Sequence, residues 1–372
     1  MKKFWVVHNI PSPYRLHIFN ALWKECKSRD LDFHVHFMSD MSRGYDERPK
    51  SWRNPKMEFP YTYWRDYGFG QRHVNPGLLW HLHRHQPEYL LAGSPFDTLT
   101  GMLAGWMTKG ITCTWCEGNT KTPGKMGGVL GCVKRFALGG YKYVAVPGSD
   151  AAKYIAMHQQ CTKSKMPMPV MLPNLVDETR FCKSDQPKKD AGVRKAIIPA
   201  RLKPVKGLME FVGLLTPEML DGWQIAIIGD GELKEPLVKL ISERGLSGNI
   251  EIKPFVPYEE MPRYYAESDL LVLPSIYDPN PLSVVEALHC GLPIALSSEA
   301  GNVDEAVTEG KNGWVLPVKD KKRFSAVLAE VFSTPLERLR EMGRWSKSHN
   351  AQYWNTERAI KGFTDAMLAA AE

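Results

Sequence analysis

Two carboxylates, Asp278 and Glu286, stand with seven residues between them in the run Y-D-P-N-P-L-S-V-V-E. Asp278 follows the apolar run LLVLPS (270–275) and precedes a helical pattern, so it faces whatever lies beyond that strand end. Glu286 lies inside the helix. The amides of Leu282 and Ser283 open it, where the first N–H groups have no intrahelical partner and favour an anion. Carboxylates accept hydrogen bonds from vicinal hydroxyls. The pair, with a helix start between them, suits a ligand that carries hydroxyls at both ends and an anion in the middle.

Two further loops supply matching chemistry. After the run AIIPA come Arg201-Leu202-Lys203-Pro204-Val205-Lys206-Gly207, which put cations at the mouth of the next helix. Arg201 and Lys206 there add charge-assisted hydrogen bonds to a phosphate; a solvated basic loop is the competing reading. After IAII come Gly229-Asp230-Gly231-Glu232, a tight turn into a helix that lacks the full G-x-G-x-x-G fingerprint of a dinucleotide site. A nucleotide sugar has the form these loops fit. Asn280, on the loop of Asp278, joins Gly229, Leu282, Ser283 and Glu286 as candidates to bind such a ligand.

Short apolar runs alternate with longer helical patterns along the 372 residues, which predicts α/β architecture with parallel sheets. Strands are expected at 4–8, 33–37, 88–93, 111–116 and 143–148 in the first half. In the second they are expected at 194–200, 223–229, 250–255, 270–275, 293–297 and 314–318. Helices are expected at 13–27, opened by Ser12-Pro13, and at 76–86, 207–215 and 231–244. The polar stretch 176–193 reads as a linker between domains at 1–175 and 194–349, with a last helical segment at 350–372. Two such domains leave a cleft, and open α/β sheets bind ligands beyond the C-terminal ends of their strands.

The second half resembles the retaining nucleotide-sugar glycosyltransferases of glycosyltransferase family 4. The resemblance rests on P-A-R-L…K-G at 199–207, G-D-G at 229–231, the acidic pair at 278 and 286, and E-A-L-H-C-G-L-P at 286–293. G-N-V-D-E-A-V at 301–307 and G-K-N-G at 310–313 complete it, with P-S-P-Y-R-L-H-I-F-N-A-L at 11–22 and P-N-L-V-D at 173–177 as looser matches. It implies the GT-B fold, two Rossmann-like α/β/α domains facing a cleft, with the last helix crossing back to the first domain. It implies that Arg201 and Lys206 hold the donor diphosphate, Glu286 the ribose hydroxyls and Asp278 the transferred hexosyl or pentosyl group, with retention of anomeric configuration. The chain departs from the pattern twice. Asp278 replaces the usual Glu and is shorter by one methylene. Pro281 replaces the usual glycine and has no N–H, so either the amides of Leu282 and Ser283 serve alone or the donor sits differently.

Charge on the departing diphosphate can be met by Arg201, Lys206 and the helix start, which predicts a metal-independent transferase with no cofactor besides the donor. The D-x-D of Asp30-Leu31-Asp32 precedes a strand and so sits at the wrong end for a ligand site. In the first half, Glu117 follows the strand ITCTWC and is the candidate for aligning a reacting hydroxyl; helix capping is the competing role. Pro11, Ser12 and Arg15, after strand one, form the acceptor or diphosphate loop. Three other patterns carry less. Cys113-x-x-Cys116 lies on an expected strand, not on the turn a dithiol motif needs. His81, His83 and His85 are expected to spread around a solvated helix. Residues 121–142 form a basic amphipathic segment that suits anionic lipid, with ordinary core packing as the alternative.

Residues 1–150 hold 20 basic and 12 acidic residues, and residues 151–372 hold 28 and 29. The positive excess therefore belongs to the first half, which points to an acidic or membrane-associated acceptor such as a lipid-linked or surface glycan. Two other readings remain open: a GT-B epimerase or phosphorylase, and a nucleic-acid-directed transferase or binding protein using the basic half. Seven cysteines without framework spacing predict a reducing cytoplasm. The N-terminal apolar run is cut by Pro11, Pro13 and Arg15, which predicts no secretory leader, and docking on the inner face of a membrane is the extension of the cytoplasmic reading.

Overall fold

The computed structural model describes residues 1–40, 57–70, 72–93, 95–122, 128–160, 166–181 and 192–369. The chain divides into two compact units, Met1–Val176 with Thr356–Glu372, and Asp177–Asn355. In the first unit β1 (Lys2–His8), β2 (Leu31–Phe37), β3 (Tyr61–Tyr63), β4 (Tyr89–Ala92), β5 (Ile111–Trp115), β6 (Tyr143–Val146) and β7 (Met168–Met171) form one sheet in the order β3-β2-β1-β4-β5-β6-β7. Every pairing in it is parallel. In the second, β8 (Arg194–Pro199), β9 (Trp223–Ile228), β10 (Ile250–Lys253), β11 (Leu270–Leu273), β12 (Ile294–Ser297) and β13 (Gly313–Leu316) pair in parallel in the order β10-β9-β8-β11-β12-β13.

Both sheets start in the middle, run to one edge, and cross back to the far side of their first strand. Loops diverge where the order reverses, between β1 and β4 in the first unit and between β8 and β11 in the second, which is where such sheets hold ligands. Central strands covered on both faces read as unbroken apolar runs: every residue of β4, β5, β11 and β12 is buried.

Eleven of the strands lie where the apolar runs predict them. The edge strands β3 and β7 do not announce themselves, because they are short and largely exposed and so lack a buried pattern. The expected helices form at Pro13–Ser28, Pro76–His85, Leu208–Leu214 and Lys234–Glu243. Ser12 stands at the N-cap of the first, but its hydroxyl makes no capping bond.

Part of the stretch read as a linker belongs to the second unit. Glu178–Phe181 forms a helical turn whose Phe181 is fully buried, its ring 5.8 Å from that of Tyr258 and 5.9 Å from that of Tyr265. One apolar anchor in a polar run is invisible to composition. Residues 182–191 lie outside the described residues. At the other end, Asn350–Trp354 is a 3-10 turn in the second unit. The helix Thr356–Ala369 belongs to the first, where His17 meets Thr356 at 2.8 Å and Arg29 pairs with Asp365 at 2.7 Å.

The histidine run requires a correction. His81 and His85 do not spread around the helix: separated by four residues, they share a face, their rings 4.3 Å apart, and His81 stacks on Trp5 at 5.0 Å. Burial lowers the pKa of His81, with the His85 ring adding to the effect. No helix among the described residues is long and apolar enough to cross a membrane.

Candidate functional site

The second unit's switch point is built by backbone contact between loops. Gly229, after β9, has φ +156°, and a Cβ there would lie 2.0 Å from the carbonyl oxygen of Ala200. Leu202 is buried and its N–H donates to Asp230 at 2.9 Å. The G-D-G turn is glycine because two loops touch there. Gly207, with φ +65°, likewise has no room for a side chain against the carbonyl of Pro274, and the amide of Ile276 bonds Val205 at 2.9 Å. These contacts lock the loop after β8 onto the loop after β11.

Lys206 ends the 3-10 turn Pro204–Lys206 and extends to Asp278, Nζ to Oδ2 2.5 Å, with both side chains largely buried. The expected phosphate cation and the expected sugar-binding acid are thus partners of each other. The carbonyl of Asp278 accepts from the amide of Gly301 at 2.9 Å, which holds the acid against the loop after β12. Arg201 is exposed, and its guanidinium has no partner among the described residues.

Asn280 follows on the same loop. It is 8% exposed, yet neither its Oδ1 nor its Nδ2 has a hydrogen-bond partner among the described residues. Leaving such a group unsatisfied costs about 1–3 kcal/mol, which a hydroxyl-rich or phosphorylated ligand would recover. Pro281 then opens the helix Leu282–His289; its carbonyl accepts from Nδ2 of Asn302 at 3.2 Å, while Oδ1 of Asn302 is buried without a partner. Glu286 is buried in that helix and accepts from the Tyr265 hydroxyl at 2.5 Å. Burial pushes its carboxyl up to about 7, against the opposing pull of that hydrogen bond.

The first unit carries a second constellation. Arg15, in the opening turn of Pro13–Ser28, is 5% exposed and stacks its guanidinium 3.8 Å from the centre of the Trp115 ring. It donates to Asn174 at 2.9 Å and pairs with Glu117, and Asn174 also donates to Glu117 at 3.0 Å. Pro11 and Ser12 are buried one turn earlier, and the Ser12 hydroxyl has no partner among the described residues. His8, at the end of β1, is pushed down to about 3 by burial and the Arg15 cation, so its ring is neutral at pH 7. The structure therefore joins Arg15 to Glu117 directly. Asn174, quoted above only within P-N-L-V-D, is the member whose place in the network the sequence did not single out; Tyr265 is its counterpart in the second unit.

Of the demoted patterns, Cys116 falls in the chain between Trp115 and Glu117 of the first unit's constellation. Asp30 and Asp32 flank the start of β2. Cys113 and Cys116 are buried, and burial pushes the Cys116 thiol up to about 12 and the Cys113 thiol higher still. Among the described residues, no three His, Cys, Asp or Glu side chains are grouped to hold a metal ion.

Residues 181–349 match the family model of glycosyl transferases group 1. The amylovoran biosynthesis glycosyltransferase AmsK of Erwinia amylovora is 31% identical over 112 residues, 28% of this chain and 27% of that protein. The putative colanic acid biosynthesis glycosyltransferase WcaL of Salmonella typhimurium is 28% identical over 191 residues, 49% of this chain and 46% of that protein. The chain spans less than half the length of either relative. Among solved structures, Anabaena HepE in complex with UDP and glucose superposes with a TM-score of 0.73 at 14% identity, covering 99% of this chain and 100% of that one. That likeness shows the fold, GT-B, and the matches together support a glycosyltransferase.

Proposed function

We propose that the chain transfers a glycosyl group from a nucleoside-diphosphate sugar, with UDP as the nucleotide, to a hydroxyl of a surface or lipid-linked glycan, retaining anomeric configuration. The observation that carries this reading is the clustering, at the switch point of the segment matching glycosyl transferases group 1, of the Lys206–Asp278 pair, the orphaned Asn280 amide and the buried Glu286. The choice of UDP is supported by HepE, solved with UDP-glucose, and the glycan acceptor by the polysaccharide named for each of the two relatives.

Each residue then has a task. The ribose hydroxyls bind Glu286, and the diphosphate lies over the amides of Leu282 and Ser283, within reach of Arg201. As it arrives it competes for Lys206, and Asp278, released from the ion pair, turns to the hydroxyls of the transferred sugar. The bond between the anomeric carbon and the β-phosphate oxygen breaks, and the charge that develops on phosphate is met by Lys206, Arg201 and the helix start, chemistry that needs no metal. The acceptor oxygen attacks the same face of the oxocarbenium-like sugar, and its proton leaves to the departing phosphate oxygen. Arg15, Glu117, Ser12 and Pro11 of the first unit serve the acceptor side.

Incubating the protein with UDP-, GDP- and ADP-sugars tests the reading. Slow release of nucleoside diphosphate from UDP-sugars, lost in Glu286→Ala, is the expected result, with the released or transferred sugar in the donor's anomeric form. Release of sugar phosphate instead, or an epimerised donor, would assign the site to a phosphorylase or epimerase. Absence of any turnover or binding across the panel would remove the reading.

A further inference from the structure

The helix Gly128–Gly139 is built inside out. Its buried residues are Gly131, Ala137 and Leu138, while Val129 is 82% exposed, Leu130 56%, Val133 40% and Phe136 51%. At 100° per residue these four fall on one stripe opposite Gly131 and Leu138. Core packing, the competing reading of this segment, therefore does not account for them. Lys134 falls on one flank of the stripe, next to Leu130, while Arg135 lies on the opposite side of the helix, next to Gly131. Lys134 rests against Tyr154, its Nζ 3.2 Å from the hydroxyl, and Arg135 donates to Cys132 at 3.3 Å.

Trp106 extends the patch. It is 49% exposed and lies flat on Phe136, ring centres 5.3 Å apart, with its Nε1 donating to the Phe136 carbonyl at 3.2 Å. Gly140 makes this possible, since a Cβ there would meet the Trp106 ring at 2.7 Å. An amphipathic aromatic ring with its N–H tied down suits the boundary between water and acyl chains. The segment that carries the patch has charge of one sign: from residue 118 to residue 149 the sequence has no Asp or Glu, and Lys109 and Lys142 are exposed.

We infer that Val129, Leu130, Val133, Phe136 and Trp106 form a docking face for an anionic lipid bilayer, with Lys134, Lys109 and Lys142 meeting its headgroups. An outward apolar stripe flanked by a cation is the pattern of a helix lying in a membrane interface, where long basic side chains reach back to the phosphates. Charge complementarity selects a bilayer over a second copy of this chain, because two such faces would bring cation against cation. The inference stands apart from the glycosyl-transfer reading, since binding is read with neither donor nor acceptor present.

Flotation with vesicles of phosphatidylglycerol and phosphatidylcholine, against vesicles of phosphatidylcholine alone, tests it. The protein should float with the anionic vesicles, and 0.5 M salt should weaken binding about tenfold. Val129→Asp with Leu130→Asp should lower the partition about tenfold, and Lys109→Glu with Lys142→Glu should lower it on anionic vesicles alone. Val129 is exposed enough that V129D by itself serves as the fold-neutral variant, with circular dichroism and donor hydrolysis as checks. Equal flotation of wild type and V129D/L130D, no flotation of the wild type, or a dimer in sedimentation that V129D dissolves would each overturn the inference.

Discussion

Replacing Glu286 by Gln isolates the cost of an ionised carboxyl at the centre of the site. In the folded protein burial holds this group at about 7, against an ordinary value of 4.5. Below that ordinary value the carboxyl is neutral in both states. Between the two values the folded form keeps a proton that the unfolded chain releases, so stability falls as pH rises through that window. At about 1.4 kcal/mol per pH unit, the loss reaches about 3 kcal/mol above pH 7. Glutamine has nearly the same volume and keeps a carbonyl to accept from Tyr265, but it has no proton to lose. The variant should therefore match the wild type near pH 4.5 and exceed it by about 3 kcal/mol at pH 8. Hydrogen exchange of the amides in Leu282–His289 and β11, corrected for intrinsic rate and followed from pH 5 to pH 8, reads the difference locally. Every other titrating group acts equally on both proteins and cancels. A difference that stays constant across the window would refute the assignment of a neutral buried Glu286. The same variant should bind nucleotide more weakly, because an amide presents one acceptor oxygen to a ribose diol where a carboxylate presents two.

Two further outcomes follow from the loop geometry. In a double-mutant cycle, Lys206→Met and Asp278→Asn should each destabilise more than the pair together, with a coupling of about 1–3 kcal/mol measured by urea unfolding, because either single change leaves a largely buried partner alone. Gly229→Ala should cost about 3 kcal/mol of stability, since its Cβ would press on the Ala200 carbonyl, whereas Gly213→Ala, a helix position with open space around it, should be neutral or stabilising by thermal melting.

The fold was legible where burial leaves a mark on the chain. The runs at β11 and β12 are apolar because helices cover the sheet on both faces there, and the loops that follow such strands read as ligand loops from the sequence alone. What stayed hidden are relations between distant residues. Arg15 meets Asn174 across 159 positions and Glu117 across 102, and nothing local to any of the three signals the network. Lys206 and Asp278 were each read as ligand groups, but their mutual pairing depends on Gly207 folding one loop against the other. Tyr265 sits in a helix without a motif, and only its hydrogen bond shows that it helps set the state of Glu286. The histidine run differs for another reason: His81, His83 and His85 alternate in sequence, while the helical spacing of four places His81 and His85 together.

The proposed binding of a nucleoside-diphosphate sugar by the loops after β8 and β11 can be seen or refuted in a crystal structure with a UDP-sugar. The diphosphate is expected on Lys206 and the first amides of Leu282–His289, the ribose on Glu286, a ligand atom within hydrogen-bond reach of the Asn280 side chain, and Asp278 turned from Lys206 to the sugar. A bound donor elsewhere on the protein, or at this site with the Lys206–Asp278 pair intact and Asn280 still without a partner, would contradict it.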